Sequence, residues 1–350
     1  MKKVFVYSIC FYPSIGGVQS TSRILAQALV KLGYQVTIFT HTPLDEYIEL
    51  DEGYKIIRSS NWINLISICF HHDLVIIKGG VSVIAGLAAY LNKKPYIFYH
   101  EMIGSYLYNH HLWKGVFSNF LRSFLVEKAI AHVGVTNSCL QSKYIDKEKL
   151  QFVIYNPVSS ELQFFSESLK YQHQEKYYDV LFVGRLIKAK GIYVLADALR
   201  IFEEEKKTLR VCFVGSGEDF QLKDYLKNCS FIKVNFLGSL QGEKLAEAYA
   251  SSRLLVIPSS HPEGMGLVIA EGFMFNLPVI GSSQPAIKEV INHKNLIFEN
   301  GSPHDLYNKL NSVLFDLQSY EYYKNHAKEE KKKYTYAKFL KSLDIFLDTL

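Results

Sequence analysis

Short runs of β-branched and aromatic residues alternate with longer segments of helical periodicity along most of this chain. That alternation is typical of βα units built on parallel sheets, and the nearly continuous hydrophobicity of the runs indicates strands that are covered on both faces. The runs in the first half are KVFVYS, QVTIFT, DLVIIK, PYIFYH and HVGVT, and those in the second half are DVLFVG, LRVCFVG, VNFLG, RLLVIP, LPVIG and NLIF. The pattern predicts an α/β protein.

The alternation is interrupted over residues 156–178, where polar and turn-forming residues predominate. Because the chain has 350 residues, of which 48% are hydrophobic, it is long enough for two separate cores. We therefore predict one Rossmann-like domain over residues 1–170 and a second over residues 171–330. Residues 331–350 are expected to form a terminal helix that packs back on the first domain. The apolar residues of that helix recur at helical spacing: Phe339, Leu343, Phe346 and Leu350.

Charge and cysteine content narrow the classes of function. The net charge of +5 is too small an excess to indicate nucleic-acid binding, although it is compatible with an anionic ligand or with the inner face of the cell membrane. The five cysteines lack a CxxC spacing, and no charge-free apolar stretch reaches the roughly 20 residues that cross a bilayer. We expect a cytoplasmic protein. The histidine pairs His71–His72 and His110–His111 look exposed and lack a third spaced ligand, so no metal site is predicted.

Ligands of open parallel sheets bind beyond the carboxyl ends of the strands, so the residues that follow each strand are candidates. After the first strand, Gly16 and Gly17 precede a helix whose N-terminal amides could face a phosphate, although a flexible turn would explain these glycines equally well. His100 closes the strand PYIFYH in a similar position. Gly215, in a Gly-Ser-Gly turn, is a candidate substrate-binding residue, but such turns before helices are common.

The first strand of the second series is followed by the loop GRLIKAKG. Its Arg185 and Lys190 lie five residues apart and could clamp a diphosphate through charge-assisted hydrogen bonds. A solvated basic loop is the alternative. We favour the clamp because Gly184 and Gly191 bracket the pair and allow the backbone to fold tightly around an anion.

The stretch PEGMGLVIAEGF carries two carboxylates, Glu263 and Glu271, around an apolar run. It follows the strand RLLVIP and predicts a loop and then a helix that begins near Met265 or Gly266. Free amides of Met265, Gly266 and Leu267 would form an anion or hydroxyl site. Burial of a glutamate is costly without partners, and vicinal hydroxyls of a sugar or ribose would supply them. A capping carboxylate at Glu263 and a structural ion pair at Glu271 are the alternative.

The motif EGMGLVIAE, with GGVQ, VGRLIKAKG, VGSGED and FLG before it and LPVIGS after it, resembles the E-x7-E pattern of the family 4 glycosyltransferases. The resemblance covers nearly the whole chain. It implies the GT-B fold, in which two doubly wound Rossmann-like domains face a central cleft. It also implies retaining, metal-independent hexosyl transfer from a nucleotide-sugar donor, such as a UDP- or GDP-sugar, without a cofactor. The chain departs from the family at Asn156–Pro157 and over residues 282–290.

The resemblance also assigns roles to individual residues. Arg185 and Lys190 would neutralise the donor diphosphate, which is the leaving group. Glu263 would bind the transferred sugar and Glu271 the ribose. The remaining implied contacts are the amide of Gly17 on the diphosphate, the amides of Met265, Gly266 and Leu267 around sugar and phosphate, and His100 against the transferred sugar.

The implied acceptor is a glycan or lipid-linked glycan bound by the first domain, as in the synthesis of cell-surface polysaccharide, O-antigen or capsule. A basic and aromatic segment of that domain is a candidate for membrane contact, although we favour packing on the sheet for its apolar stripe. Its residues are Trp113, Lys114, Phe117, Phe120, Leu121, Arg122, Phe124, Leu125 and Lys128. A nucleotide-sugar epimerase of the same fold and a non-catalytic nucleotide-sugar-binding subunit are the alternative functions.

Overall fold

The computed structural model describes residues 2–13, 16–44, 51–103, 113–142 and 145–350, without the side chains of residues 62 and 113–117. The chain forms two compact units, one of Met1–Asn156 with Phe339–Leu350 and the other of Pro157–Lys338. The division falls at Asn156, whereas the sequence indicated residue 170. The reason is that the two short helices after Asn156 pack on a helix of the second unit.

The first unit contains a parallel sheet with helices between its strands. The strands are β1 (Lys3–Ser8), β2 (Gln35–Thr40), β3 (Lys55–Arg58), β4 (Leu74–Lys78), β5 (Tyr96–His100), β6 (Ala131–Gly134) and β7 (Leu150–Val153). The helices are α1 (Gly17–Lys31), α2 (Trp62–Phe70), α3 (Val83–Leu91), α4 (Trp113–Lys128) and α5 (Asn137–Leu140). In the described residues the strand order is β3-β2-β1-β4-β5-β6-β7, so the order reverses between β1 and β4.

The second unit repeats this arrangement. Its strands are β8 (Tyr178–Val183), β9 (Leu209–Val214), β10 (Ile232–Phe236), β11 (Ser252–Ile257), β12 (Val279–Ser282) and β13 (Ile297–Phe298). Its helices are α6 (Ser160–Glu167), α7 (Leu169–Gln172), α8 (Ile192–Glu204), α9 (Asp219–Leu226), α10 (Gly242–Ala250), α11 (Leu267–Met274), α12 (Pro285–Ile291), α13 (Pro303–Leu314) and α14 (Leu317–Glu330). The strand order is β10-β9-β8-β11-β12-β13, and all pairs are parallel. The predicted α/β class with two Rossmann-like sheets is confirmed.

The degree of burial explains which strands could be predicted from the sequence and which could not. Each inner strand contains at least three consecutive buried residues, and in β5 every residue is buried. Strands β3 and β7, which the sequence did not predict, form the two edges of the first sheet. None of their hydrophobic residues is fully buried. A short edge strand therefore lacks the continuous apolar run that identifies an inner strand.

The terminal helix is α15 (Tyr336–Asp348). Phe339, Leu343 and Phe346 are buried, and the Phe346 ring lies 5.2 Å from that of Phe152 on β7, within the first unit. Leu350 is exposed, unlike its predicted place on the apolar face, because the helix ends before it.

The structure of the first unit also bears on the predictions for the basic and aromatic segment and for the histidine pairs. Leu125 of α4 is buried in the core, as packing on the sheet requires, whereas Phe120 is 67% exposed. His72 is buried rather than exposed, because its ring bonds to the Ile68 carbonyl and to the Thr37 hydroxyl. The side chains of Trp113, Lys114 and Phe117, and the pair His110–His111, lie outside what the structure describes.

None of the helices in the described ranges combines the length and the apolar character that crossing a bilayer requires.

Candidate functional site

The loops after β8, β9 and β10 are joined by backbone hydrogen bonds at the carboxyl edge of the second sheet. Leu186 N–H donates to the Ser216 carbonyl at 2.8 Å, and Gly215 N–H donates to the Gly238 carbonyl at 2.7 Å. Gly215 has φ +135°, and a Cβ there would lie 1.8 Å from the Gly184 carbonyl oxygen. The approach of these two loops therefore requires glycine at position 215, whatever ligand binds nearby.

The turn that carries Lys190 also packs against the loop after β11. Ser260 N–H donates to the Ala189 carbonyl at 3.1 Å. Gly191, at φ +74°, brings its Cα so close to the Pro258 carbonyl that a Cβ would lie 1.8 Å from that oxygen. Direct backbone contact therefore holds the two loops together at this point.

Lys190 and Glu263 form an ion pair across these two loops. The Lys190 Nζ lies 2.6 Å from Glu263 Oε1, and the side chains are 28% and 17% exposed. The Ser259 hydroxyl donates to the same carboxylate oxygen at 2.6 Å, and Ser259 is itself held by the Ser282 hydroxyl, which donates to its carbonyl. Glu263 Oε2 has no hydrogen-bond partner among the described residues. The sequence predicted both charged residues but not Ser259.

Arg185 lies on the same loop as Lys190 but is solvent-exposed. Its guanidinium makes no ion pair or hydrogen bond within the described part of the chain. The turn between the two cations is supported by Glu218, which accepts hydrogen bonds from the Lys188 N–H at 3.2 Å and from the Tyr193 hydroxyl at 2.9 Å. Arg185 is therefore a cation available to an anion from solvent.

Helix α11 begins with unsatisfied backbone donors. Gly266 is its N-cap, in the left-handed conformation at φ +67°, and Leu267 is its first residue, close to the predicted start. The N–H groups of Met265, Gly266 and Leu267 donate no hydrogen bond within the ranges that the structure describes. The first turn carries no acidic side chain. This helix end is thus able to donate to phosphate or hydroxyl oxygens.

Glu271 lies one turn further along α11 and is half-buried. Its Oε2 accepts a hydrogen bond of 2.6 Å from the hydroxyl of Tyr249 on α10. Burial raises the pKa of the Glu271 carboxyl, and the hydrogen bond from Tyr249 partly opposes that shift. A buried glutamate needs a hydrogen-bond partner, and Tyr249 is one such partner of Glu271. No sequence motif indicated this tyrosine.

In the first unit, Gly17 begins helix α1 and Gly16 is its N-cap. Among the described residues, a Cβ on Gly17 would meet no atom within 4 Å, and the atoms nearest to one on Gly16 belong to the flexible Gln19 side chain. The Thr21 hydroxyl donates to the Gly17 carbonyl at 2.8 Å. Packing within the described residues therefore does not demand either glycine.

His100 closes β5, as predicted, but its side chain is buried. Its Nε2 lies 3.0 Å from Nδ1 of His132 on β6, and the two rings stack at 5.3 Å. Burial lowers the pKa of His100 well below its usual value, and it lowers the pKa of His132 from 6.5 to about 4. Both rings are accordingly neutral at neutral pH.

A buried ion pair that no sequence motif indicated lies at the ends of β4 and β5. Lys78 pairs with Glu101, and its Nζ also donates to the Thr21 hydroxyl of α1 at 2.9 Å. Burial lowers the pKa of Lys78, and the charge of Glu101 opposes that shift. The sequence feature that could have indicated this ion pair is the lysine at the end of the apolar strand DLVIIK. Through Thr21, the pair ties the N-terminal part of α1 to two strand ends.

The first comparison with known proteins concerns the second unit. Residues 164–330 match the family model of the glycosyl transferases group 1. These residues, which we call the group 1 domain, make up just under half of the chain. The predicted likeness to glycosyltransferases is thereby confirmed.

Individual proteins are also similar to this chain in sequence. A stretch of 160 residues is 31% identical to sulfoquinovosyl transferase of Arabidopsis thaliana, and the match covers 44% of this chain and 30% of that protein. An uncharacterized glycosyltransferase of Methanocaldococcus jannaschii is 25% identical over 96% of this chain and 95% of its own length. The chain thus spans about a third of the first relative and nearly all of the second.

The fold likeness covers both units. The crystal structure of HepE from Anabaena in complex with UDP matches with a TM-score of 0.76 over 100% of both chains, at 17% identity. The expected GT-B fold is confirmed by this match and by the two sheets.

The group 1 domain contains most of the candidate residues. They are Arg185, Lys190, Gly215, Glu263, Met265, Gly266, Leu267 and Glu271. Gly16, Gly17 and His100 lie in the first unit, outside the matched range. No group of three or more His, Cys, Asp or Glu side chains in the described ranges is arranged to hold a metal ion.

Proposed function

We propose that this protein transfers a hexosyl group from a nucleotide-sugar donor to a hydroxyl group of a glycan or lipid-linked glycan. The proposal rests on the Lys190–Glu263 ion pair and on the neighbouring start of α11. The backbone N–H groups there donate no hydrogen bond within the described residues. Cation, carboxylate and amide donors at one carboxyl edge suit a ligand that carries both phosphates and hydroxyls.

The donor diphosphate is the proposed ligand of Lys190 and Arg185. Cleavage of the anomeric C–O bond leaves negative charge on the diphosphate, so preorganised cations at the departing oxygen lower the barrier. Without a donor, the charge of Lys190 is balanced by Glu263. An arriving diphosphate shares or replaces that partner, and the exposed Arg185 adds a second cation without having to break an ion pair.

Carboxylates are the proposed ligands of the donor hydroxyls. Glu263 Oε2, which has no hydrogen-bond partner in the described residues, accepts from the transferred sugar. Glu271 accepts from the ribose. The amides of Met265, Gly266 and Leu267 donate to the sugar and phosphate oxygens between these two carboxylates. We further propose that Gly215 keeps the loop surface low enough for the donor.

The proposed transfer is retaining and metal-independent. The C1–O bond to the diphosphate breaks, the acceptor oxygen bonds to C1 on the same face, and the acceptor proton passes to the departing diphosphate oxygen. This route requires no separate general base. A double displacement would need a carboxylate on the opposite face of the sugar.

For the first unit, we propose that the N-terminal amides of α1, at Gly16 and Gly17, bind a phosphate group. The open space at Gly17 supports this, because no packing contact within the described residues explains the glycine. His100 remains a predicted contact of the transferred sugar. Since its ring is buried against His132, loss of activity in His100→Ala would not separate a sugar contact from packing.

The donor is proposed to be a UDP-sugar before a GDP-sugar, because HepE, which shares the fold, was crystallised with UDP. The acceptor is proposed to belong to cell-surface polysaccharide, and a cytoplasmic site at the inner membrane face would suit it. Exposed Phe70, Leu91 and Phe120, with Lys94 5.5 Å from the Phe70 ring, support peripheral contact with an anionic membrane.

A thermal-shift screen against UDP, GDP and ADP, and then against their sugars, identifies the nucleotide. With the active donor, we expect Lys190→Ala and Glu271→Ala to lose at least about a hundredfold in sugar transfer, because each removes a contact to the donor. Lys188→Ala is the matched control, since this exposed lysine lies in the same turn.

Retention of transfer by both variants, with melting temperatures like that of the parent, would contradict the donor-site assignment. Conversion of the donor sugar to its epimer without an acceptor would instead support the epimerase alternative. Nucleotide binding without any turnover would support a non-catalytic subunit.

A further inference from the structure

Tyr249 has a buried hydroxyl that points at a proposed ligand-binding carboxylate. Its side chain is 0% exposed on α10, and its ring stacks on Phe275 with centroids 5.4 Å apart and planes 12° apart. The hydroxyl donates to Glu271 Oε2 at 2.6 Å. A ring held on one face by another ring has little freedom, so the direction of this hydrogen bond is set by the packing of α10.

Glu271 depends on Tyr249 for its orientation. In the described part of the chain, Tyr249 is the only group that donates a hydrogen bond to this carboxylate. The terminal torsion of a glutamate is otherwise broad, so one short hydrogen bond fixes the carboxylate plane. A carboxylate has about four lone-pair sites, so Oε1 and the second lone pair of Oε2 stay available to a ligand.

A pair of vicinal hydroxyls is the ligand that such a carboxylate fits. Each hydroxyl donates one hydrogen bond, and two neighbouring donors match the two oxygens of one oriented carboxylate. The hydrogen bond from Tyr249 also favours the ionised form, which burial disfavours. A ribose presents two adjacent hydroxyls, whereas a 2′-deoxyribose presents one.

We propose that Tyr249 is a positioning residue that holds Glu271 for the two ribose hydroxyls and thereby sets the preference of the site for ribonucleotides over 2′-deoxyribonucleotides. This rests on the proposed function, in which Glu271 binds the ribose. Tyr249 itself touches neither the nucleotide nor the sugar. Its contribution is to the geometry and ionisation of the carboxylate.

The test compares a nucleoside diphosphate with its 2′-deoxy form by isothermal titration calorimetry. UDP is the first probe, and GDP or ADP replaces it if the thermal-shift screen selects one of them. We expect the parent protein to prefer the ribonucleotide by about tenfold or more, the value of one hydrogen bond to a charged group. Tyr249→Phe should reduce that preference to about threefold or less and weaken ribonucleotide binding more than deoxyribonucleotide binding.

Tyr307→Phe is the matched control. The Tyr307 hydroxyl also donates to a glutamate, Glu205 Oε2, at 2.6 Å. That pair joins α13 to the residue after α8 and is not part of the proposed site. Tyr307→Phe therefore loses the same kind of hydrogen bond but should keep the full ribonucleotide preference.

Glu271→Gln separates the two levels of the proposal. If the parent prefers the ribonucleotide, Glu271→Gln loses that preference and Tyr249→Phe keeps it, then the inference about Tyr249 is overturned and the role of Glu271 stands. If the parent shows no preference, the ribose role of Glu271 is overturned, and the inference with it. Loss of preference in both variants, with the Tyr307→Phe control unchanged, is the supporting result.

Discussion

Gly191 occupies a position where a side chain would displace another loop. Its φ is +74°, and a Cβ at this residue would lie only 1.8 Å from the Pro258 carbonyl oxygen. Gly301 has a similar φ of +80°, but a Cβ there meets nothing within 4 Å. Any other residue at either position would therefore have a strained left-handed backbone. Only at position 191 would its Cβ also clash with another loop.

We expect Gly191→Ala to destabilise the protein far more than Gly301→Ala. Each change costs about 1–2 kcal/mol for a left-handed alanine. Gly191→Ala must also move the Pro258 carbonyl, and with it the ion pair between Lys190 and Glu263. Thermal unfolding measures the difference, and sugar transfer should fall only in Gly191→Ala. Equal melting temperatures would contradict this account.

At the scale of elements, the strand pair β5–β6 carries a buried histidine contact that makes the first unit sensitive to acid. The folded-state pKa of His132 is about 4, against 6.5 ordinarily, and burial lowers that of His100 in the same direction. The unfolded chain therefore binds more protons between these values. The stability that comes from keeping these two histidines neutral is fully present above pH 6.5 and is lost as the pH falls toward 4.

His132 alone should cost the first unit about 2 kcal/mol between pH 7.5 and pH 5, from the linkage between its two pKa values. Urea unfolding followed by tryptophan fluorescence measures this, because both tryptophans, Trp62 and Trp113, belong to the first unit. His132→Asn should reduce the difference between the two pH values, whatever its effect at pH 7.5. An unchanged pH dependence in this variant would rule out His132 as the cause.

Elements at the carboxyl edges also explain how the sequence alone assigns the candidate residues to particular loops. Strands β8 and β11 are inner strands with a buried apolar run, so the hydrophobic pattern of the sequence shows where they end. The charged residues after them, Lys190 and Glu263, can therefore be assigned to the loops at these strand ends from the sequence alone. The start of α11 is likewise visible, because glycines precede its apolar run.

At the scale of the whole molecule, the first unit is discontinuous in sequence. It consists of Met1–Asn156 and the terminal segment Phe339–Leu350. The contact between Phe346 and Phe152 joins the last helix to the last strand of that unit. The stability of the first unit therefore depends on residues that follow the whole second unit in the chain.

Phe346→Ala should lower the unfolding free energy of the first unit by about 3–5 kcal/mol, because it leaves a cavity in a buried position. Ile345→Ala is the matched control, since Ile345 is 49% exposed and adjacent in sequence, and its effect should stay within about 0.5 kcal/mol. Tryptophan fluorescence reports the first unit in both variants. Similar losses in the two would contradict the packing of α15 on that unit.

The sequence by itself determined the α/β class, the succession of the inner strands along the chain and the position of the charged candidates. These are local properties, because short stretches of neighbouring residues show both the hydrophobic runs of buried strands and the positions of the glycines. The edge strands β3 and β7 were missed for the same reason, since their half-buried residues leave a weak local signal.

Only the tertiary structure decided which side chains hold the candidate site in place. Tyr249 reaches Glu271 across 22 residues, and Lys190 reaches Glu263 across 73. Lys78 and Glu101 meet because β4 and β5 are neighbours in the sheet. Such partners are chosen by the packing of whole elements, and no residue pattern along the chain encodes the distance between two atoms that the fold brings together.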